Sequence, residues 1–189
     1  MSVSADFNTL NISGVFVMNK GLSGNTDEVL RLQGVGWMKR KAISMATITL
    51  TIKHYKDENE EEHIDIDQVL TGGVPGTTEN RHLTWTPREN NDSLFGHVIG
   101  KSRRVKADVL EDELEHLKVG WTEDTYEHGL IQAYAESDTP KSGTTWVGNQ
   151  TWGVEIINGE RRYARHLKFL GPGGEDIQIK MVYDFIRPL

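Results

Sequence analysis

No cysteine occurs in this chain of 189 residues, which excludes disulfides, thiol catalysis and cysteine-ligated zinc. An excess of positive charge is missing too: 21 lysines and arginines face 28 aspartates and glutamates, a net −7 with histidines neutral. Nothing in bulk would neutralise phosphates, so no nucleic-acid partner is expected. No apolar run approaches the roughly 20 residues of a membrane-spanning helix. The opening "MSVSADFNTLNISG" has no basic start followed by an apolar stretch, so a secretory signal is not expected and a cytoplasmic location is. "GVGWMK" lacks the third glycine and the preceding strand of a dinucleotide motif, and no phosphate loop or nucleophile motif stands elsewhere. No cofactor is therefore expected.

What the chain does have is a change of period. "GVFVMNK", Gly14 to Lys20, alternates as a short strand. Helix signals follow: Asn25 or Thr26 as cap, Asp27 and Glu28 at the positive end of the dipole, and Gly34 after the last turn. A second helix, roughly Trp37 to Ala46, places Met38, Ala42, Met45 and Ala46 on one side and Arg40, Lys41 and Ser44 opposite. From Thr47 the period becomes two. "TITLTIKHY" and "HIDIDQVLT" alternate around the acidic turn "KDENEEE", and "GTTENRHLTW" and "LFGHVIGKSRRVK" follow, joined through "TPRENND" read as a solvated loop. Asp108 to Asp124 reads as an acidic inserted excursion, helical over Asp108 to Lys118. After it "YEHGLIQAYAE", "TTWVGNQTWGVEII", "RRYARHLKFLG" and "EDIQIKMVYDFI" are strand candidates, with turns at Asn158-Gly159 and "GPGG".

Consecutive amphipathic strands with short turns and no crossover helices argue an all-β fold: an antiparallel up-and-down barrel of nine or ten strands. Residues 1–189 read as one domain, with a helical lid at about 25–46. Several strands carry Gln, His, Arg or Tyr on the face that also bears aromatics. That suits a barrel with a roomy, partly polar interior better than a dry sandwich.

The stretch "LQGVGWMKRKAISMATITLTI", Leu32 to Ile52, resembles the intracellular lipid-binding proteins, the fatty-acid-binding branch of the calycins. There a "GVG-aromatic…RK" segment forms lid helices that run into the second strand. "GERRYARH" and "GTTW" resemble a group of fungal lipocalin-like proteins of about this length. The resemblance implies a lidded barrel that binds an apolar small molecule. It also implies an Arg-x-Tyr pair on the last strand to hold a ligand carboxylate. Tyr183 fits the tyrosine, but Met181 stands where the arginine belongs. About ten buried methylenes supply roughly 8 kcal/mol gross, close to what micromolar affinity requires, whereas one charged hydrogen bond adds about 1.5–3 kcal/mol. The missing arginine thus weakens a fatty-acid reading more than an apolar-ligand reading. Arg165 is the expected compensating cation, since in "YARHLKF" it shares parity with Tyr163, Leu167 and Phe169 while His166 and Lys168 take the other face.

The expected ligand-binding set is Met38 and Met45 as roof, then Trp85, His128, Tyr134, Trp146, Gln150, Trp152, Arg165, Met181 and Tyr183. It rests on shared parity of Trp146, Gln150 and Trp152, and of Tyr126, His128, Leu130, Gln132 and Tyr134. Arg40 and Lys41 could give weak membrane contact. His63, Asp65 and Asp67 alternate on one strand face and read as solvated rather than metal-binding. Two functions follow: a carrier of one hydrophobic molecule (lipid, terpenoid or polyketide-like), or a cofactor-free isomerase or cyclase in the same cavity. For the enzyme, His128 with Tyr134, or Tyr183 with Arg165, are the candidate pairs.

Overall fold

The computed structural model describes residues 1–72 and 76–189. Ten strands are found among them: β1 Gly14–Met18, β2 Ile48–Lys56, β3 Glu62–Leu70, β4 Thr77–His82, β5 Arg88–Asp92, β6 Gly96–Val105, β7 Leu130–Ser137, β8 Val147–Ile157, β9 Glu160–Leu170 and β10 Asp176–Arg187. All pairings are antiparallel, in the order β4-β3-β2-β1-β10-β9-β8-β7-β6-β5. The last strand returns to the first, with Phe16 opposite Phe185 and Met18 opposite Tyr183. The two edges, β4 and β5, do not pair with each other. A single bridge, Thr84 to Arg103, and a bond from Arg81 Nη1 to Ser102 Oγ of 3.2 Å tie the β4 end to β6. The result is a nearly closed up-and-down barrel.

Strand β5 corrects the reading of "TPRENND" as a loop. Both its faces are polar and largely exposed, so alternation gives no cue; it exists as an edge strand because β6 supplies a partner from Gly96 to Gly100. The "polar" leader is also more than a leader. Val3, Phe7 and Ile12 plug the lower end, where Phe7 meets Phe16 and Tyr163 edge-on at 5.7 and 6.4 Å. Above this plug Leu50, Ile52, Ile64, Ile66, Ile131 and Val154 fill the inner face.

Helices α1 (Asp27–Leu32) and α2 (Trp37–Met45) cover the other end. Lys20 Nζ holds the C-terminus of α2, donating to the carbonyls of Ile43, Ser44 and Ala46 at 3.1, 2.7 and 2.5 Å. The face of α2 that turns inward is not the methionine face. Ile43 and the following Ala46 are buried against Val35 and Leu70, whereas Met38 and Met45 are each 77% exposed. A helix of nine residues has room to bury one narrow stripe, and the β-branched Ile43 takes it. Arg40 is likewise not an outward cation: Nε donates to Asp27 Oδ1 at 3.1 Å and Nη1 to the Val35 carbonyl at 3.0 Å, locking the two helices together. Lys41 is exposed.

The excursion after β6 folds back onto the outer wall. It forms 3₁₀ turns at Ala107–Val109 and Asp112–Leu114, then α3 (Glu115–Lys118) and α4 (Glu123–His128). Leu110, Leu117 and Trp121 bury themselves against Val105, Leu130 and Ala164. Gly153 makes the approach possible, because a Cβ there would stand 2.6 Å from Thr125 and 2.8 Å from Trp121. A short helix, α5 (Thr139–Ser142), links β7 to β8.

Candidate functional site

Between the packed lower end and the helices lies a cavity of about 530 Å³, opening beside the unpaired edges of β4 and β5. Strand parity decides what lines it. On β8 the inward set is Trp146, Gly148, Gln150 and Trp152; on β9 it is Arg165, Leu167 and Phe169; on β10 it is Met181 and Tyr183. These are the inward faces expected of the three strands.

The wall has a dry end and a charged end. Val29, Ile43, Phe95, Trp146, Leu167 and Phe169 line the dry end under the helices, with Trp146 and Phe169 stacked at 6.0 Å. At the charged end the guanidinium of Arg165, 5% exposed, lies 4.0 Å from the Trp152 ring and 5.4 Å from that of Tyr183. Its Nε donates to the Tyr163 hydroxyl at 2.9 Å. Met181 is its direct neighbour across β9 and β10, so the cation stands beside the position where the resemblance implied an arginine. Trp152 is fixed in turn by Nε1 donating to Gln150 Oε1 at 3.0 Å, and Arg81 approaches the same indole at 5.2 Å.

Burial raises the phenols of Tyr163 and Tyr183, outweighing the neighbouring Arg165 charge, so both stay protonated. The Tyr183 hydroxyl faces only the Met181 sulfur, a weak acceptor at 4.0 Å. Glu79 on β4 brings an opposing charge. Burial pushes its carboxyl up, but the Arg81 and Arg165 charges and a bond from Arg81 Nε at 2.7 Å outweigh this and hold it below the usual carboxylate range. The Glu79 charge and the hydrogen bond to the Tyr163 hydroxyl oppose the cost of burial and keep Arg165 charged.

Two of the buried side-chain donors without a partner among the described residues belong to this wall: Arg165 Nη2 and Trp146 Nε1. An unpaired buried N–H costs about 1–3 kcal/mol, more when charged, and such groups are rare in folded proteins. Both atoms are shut off from solvent as the wall stands, so a guest acceptor reaches them only where neighbouring side chains shift.

Four expected lining residues lie elsewhere, besides Met45. Met38 points to solvent on α2. Trp85 turns outward at a positive φ of 59° and stacks against Lys101 and Arg103 on the outer face of β6, at 4.4 and 4.3 Å. His128 is not on a strand: it ends α4, and Gly129 at φ 92° separates it from β7. The inward residues of β7 are Ile131, Ala133 and Ala135, so Gln132 and Tyr134 face out, where the Tyr134 hydroxyl donates to Glu136 at 2.5 Å. The His128–Tyr134 pair therefore does not form. Missed altogether were Glu79 and Arg81; "TENR" puts them on one parity, but with polar residues on both faces nothing marked that face as inner.

No family model matches the chain. Pericyclase pydY from an Acremonium species is 27% identical over 172 residues, covering 90% of this chain and 89% of the relative. A probable pericyclase, scpY from Mollisia scopiformis, is 26% identical over 174 residues, covering 92% and 88%. Among solved structures, the fluorescent protein UnaG superposes with a TM-score of 0.56 at 14% identity, covering 93% of this chain and 97% of that one. A fatty-acid-binding protein of Schistosoma mansoni, in complex with arachidonic acid, gives 0.57 at 11% identity, covering 92% and 95%. The lid, the strand order and these superpositions agree: this chain has the calycin fold of the fatty-acid-binding proteins.

Proposed function

We propose that the barrel binds a bulky apolar small molecule and promotes a pericyclic ring closure on it without cofactor. Such a reaction rearranges bonds within one substrate and exchanges no proton, electron or group with the protein. It therefore needs no nucleophile and no acid–base pair, only a shape that holds the reactive conformer and a donor that draws electron density. Holding one conformer lowers a barrier by up to about 7–11 kcal/mol when the reacting ends are well aligned. A preset charged donor on a carbonyl conjugated to the reacting bonds acts in a water-poor site, where it is worth more than in solution.

The observation that carries the reading is Arg165: buried, charged and stacked on Trp152 in the cavity wall. With the Tyr183 hydroxyl beside it, this wall suits a carbonyl or enolate, and the dry end under α1 and α2 suits the hydrocarbon part. The two pericyclase relatives support chemistry over storage. Simple binding as a carrier is the second reading, supported by the cavity and the fold.

The test is incubation of the purified chain, without metal or cofactor, with linear conjugated polyenes bearing a carbonyl-activated alkene. The expected product has unchanged mass, one more ring and lost conjugated absorbance. Gly148→Leu should abolish it, because Gly148 faces the cavity with room for a Cβ but not for a guest beside a leucine. Binding without conversion across the set would leave the carrier.

A further inference from the structure

Beside the β2–β3 turn, at the margin of the cavity that His82 and Arg88 help to line, three metal-capable side chains converge. Tyr55, His63 and His82 are direct cross-strand neighbours on β2, β3 and β4. The His63 ring stacks on Tyr55 at 5.2 Å and meets His82 edge-on at 4.2 Å. Glu61, exposed just before β3, joins them, so one donor atom from each of Glu61, His63 and His82 lies within 4.8 Å of the others. The cavity chemistry uses none of them as ligands.

Their hydrogen bonds are those of preset ligands. Asp57 Oδ1 accepts the backbone N–H of Asn59 and Glu61 at 2.8 and 3.0 Å, and Oδ2 faces His63 Nε2 at 3.0 Å. A carboxylate only accepts, so the His63 proton sits on Nε2 and the Nδ1 lone pair is left free. A carboxylate behind a histidine is the usual outer partner of a metal-bound imidazole. On His82 a cation already rests on a ring lone pair, since the exposed Arg88 donates from Nη2 to Nδ1 at 3.2 Å.

We propose that Glu61, His63 and His82 bind a divalent transition ion of the zinc class, with Asp57 orienting His63 and Arg88 as the cation the ion displaces. Two imidazoles and one carboxylate suit Zn²⁺, with solvent completing the shell. Tetrahedral donors at 2.0–2.1 Å from zinc stand about 3.4 Å apart. The three donors, within 4.8 Å of one another, must therefore close by up to about 1.4 Å, to which exposed Glu61 contributes by a rotamer change. Strand β4 is a free edge whose Glu79 and Arg81 line the cavity, so an ion here ties the open side of the barrel to β3.

The full chain, with any affinity tag removed, is titrated with ZnCl₂ by calorimetry and with Co²⁺ by visible absorbance. One site per chain is expected, with a Kd below about 10 µM. Asp57→Asn should weaken it by about 10- to 100-fold. His82→Gln and the fully exposed Glu61→Gln should weaken it at least as much, and Arg88→Ala should tighten it. A Kd weaker than about 100 µM, or an affinity unchanged by both Glu61→Gln and His82→Gln, overturns the proposal.

Discussion

Replacing Arg165 by methionine isolates the charged wall of the cavity. The side chain is 5% exposed and bound through Nε to Tyr163, and its Nη2 is unpaired. A guest acceptor placed on the Arg165 guanidinium makes a charged hydrogen bond worth about 1.5–3 kcal/mol, so its loss corresponds to about 10- to 150-fold in affinity. Folding should hardly respond. Methionine fills a similar volume beside Met181, the desolvation of a buried cation is relieved, and Glu79 keeps Arg81. The melting temperature is expected within about 4 °C of the parent. The assay pairs two fluorescent probes: 1-anilinonaphthalene-8-sulfonate, an aromatic anion, and Nile red, a neutral dye. In Arg165→Met the anion should lose about 10- to 150-fold and the neutral dye less than about threefold. Equal affinity of the anion for both proteins would refute the role of Arg165.

Three further outcomes follow from the same structure. Met38→Ser with Met45→Ser should leave binding of both probes unchanged, since the two methionines point to solvent; a loss would mean that the lid turns over on binding. Gly153→Ala drives a Cβ into Thr125 and Trp121 and should cost about 1–3 kcal/mol, with Trp121 emission moving to the red and probe binding intact. Glu62, on β3, accepts from His54 Nε2 at 2.7 Å and from Arg104 Nε at 3.1 Å. Burial raises its carboxyl, but these two partners outweigh it and bring it to about 2 from an ordinary 4.5. A depressed carboxyl contributes stability that is complete above about pH 4.5 and lost as the pH falls toward about 2. Glu62→Gln should therefore cost about 2 kcal/mol at pH 7, between exposed-pair and buried-pair values, and flatten acid unfolding over that window.

Where a strand has one apolar face, its sequence tells which side chains look inward. The inward placement of Trp146, Gln150, Trp152 and Arg165 follows from period two, because β8 and β9 place large apolar residues on that face, whereas that of Tyr183 follows from the resemblance. The method fails where period two is shared by polar residues on both sides. Glu79 and Arg81 on β4 and all of β5 but Asn91 line the cavity without looking apolar, since an edge strand beside an open mouth is wetted on both faces. His128 and Tyr134 fail differently. The run "YEHGLIQAYAE" continues its alternation through Gly129, but the backbone does not: the chain is helical up to His128. On α2 the misjudged face has a simple cause: Met38 and Met45 outnumber Ile43, and only contact with Val35 and Leu70 decides between them.

A crystal structure of the chain with 1-anilinonaphthalene-8-sulfonate tests the central claim most directly. The rings should lie between Trp146 and Trp152, with the sulfonate within hydrogen-bond distance of the Arg165 guanidinium. A probe seated on the outer face of α2 beside exposed Trp37, with the barrel interior filled only by water, would contradict that claim.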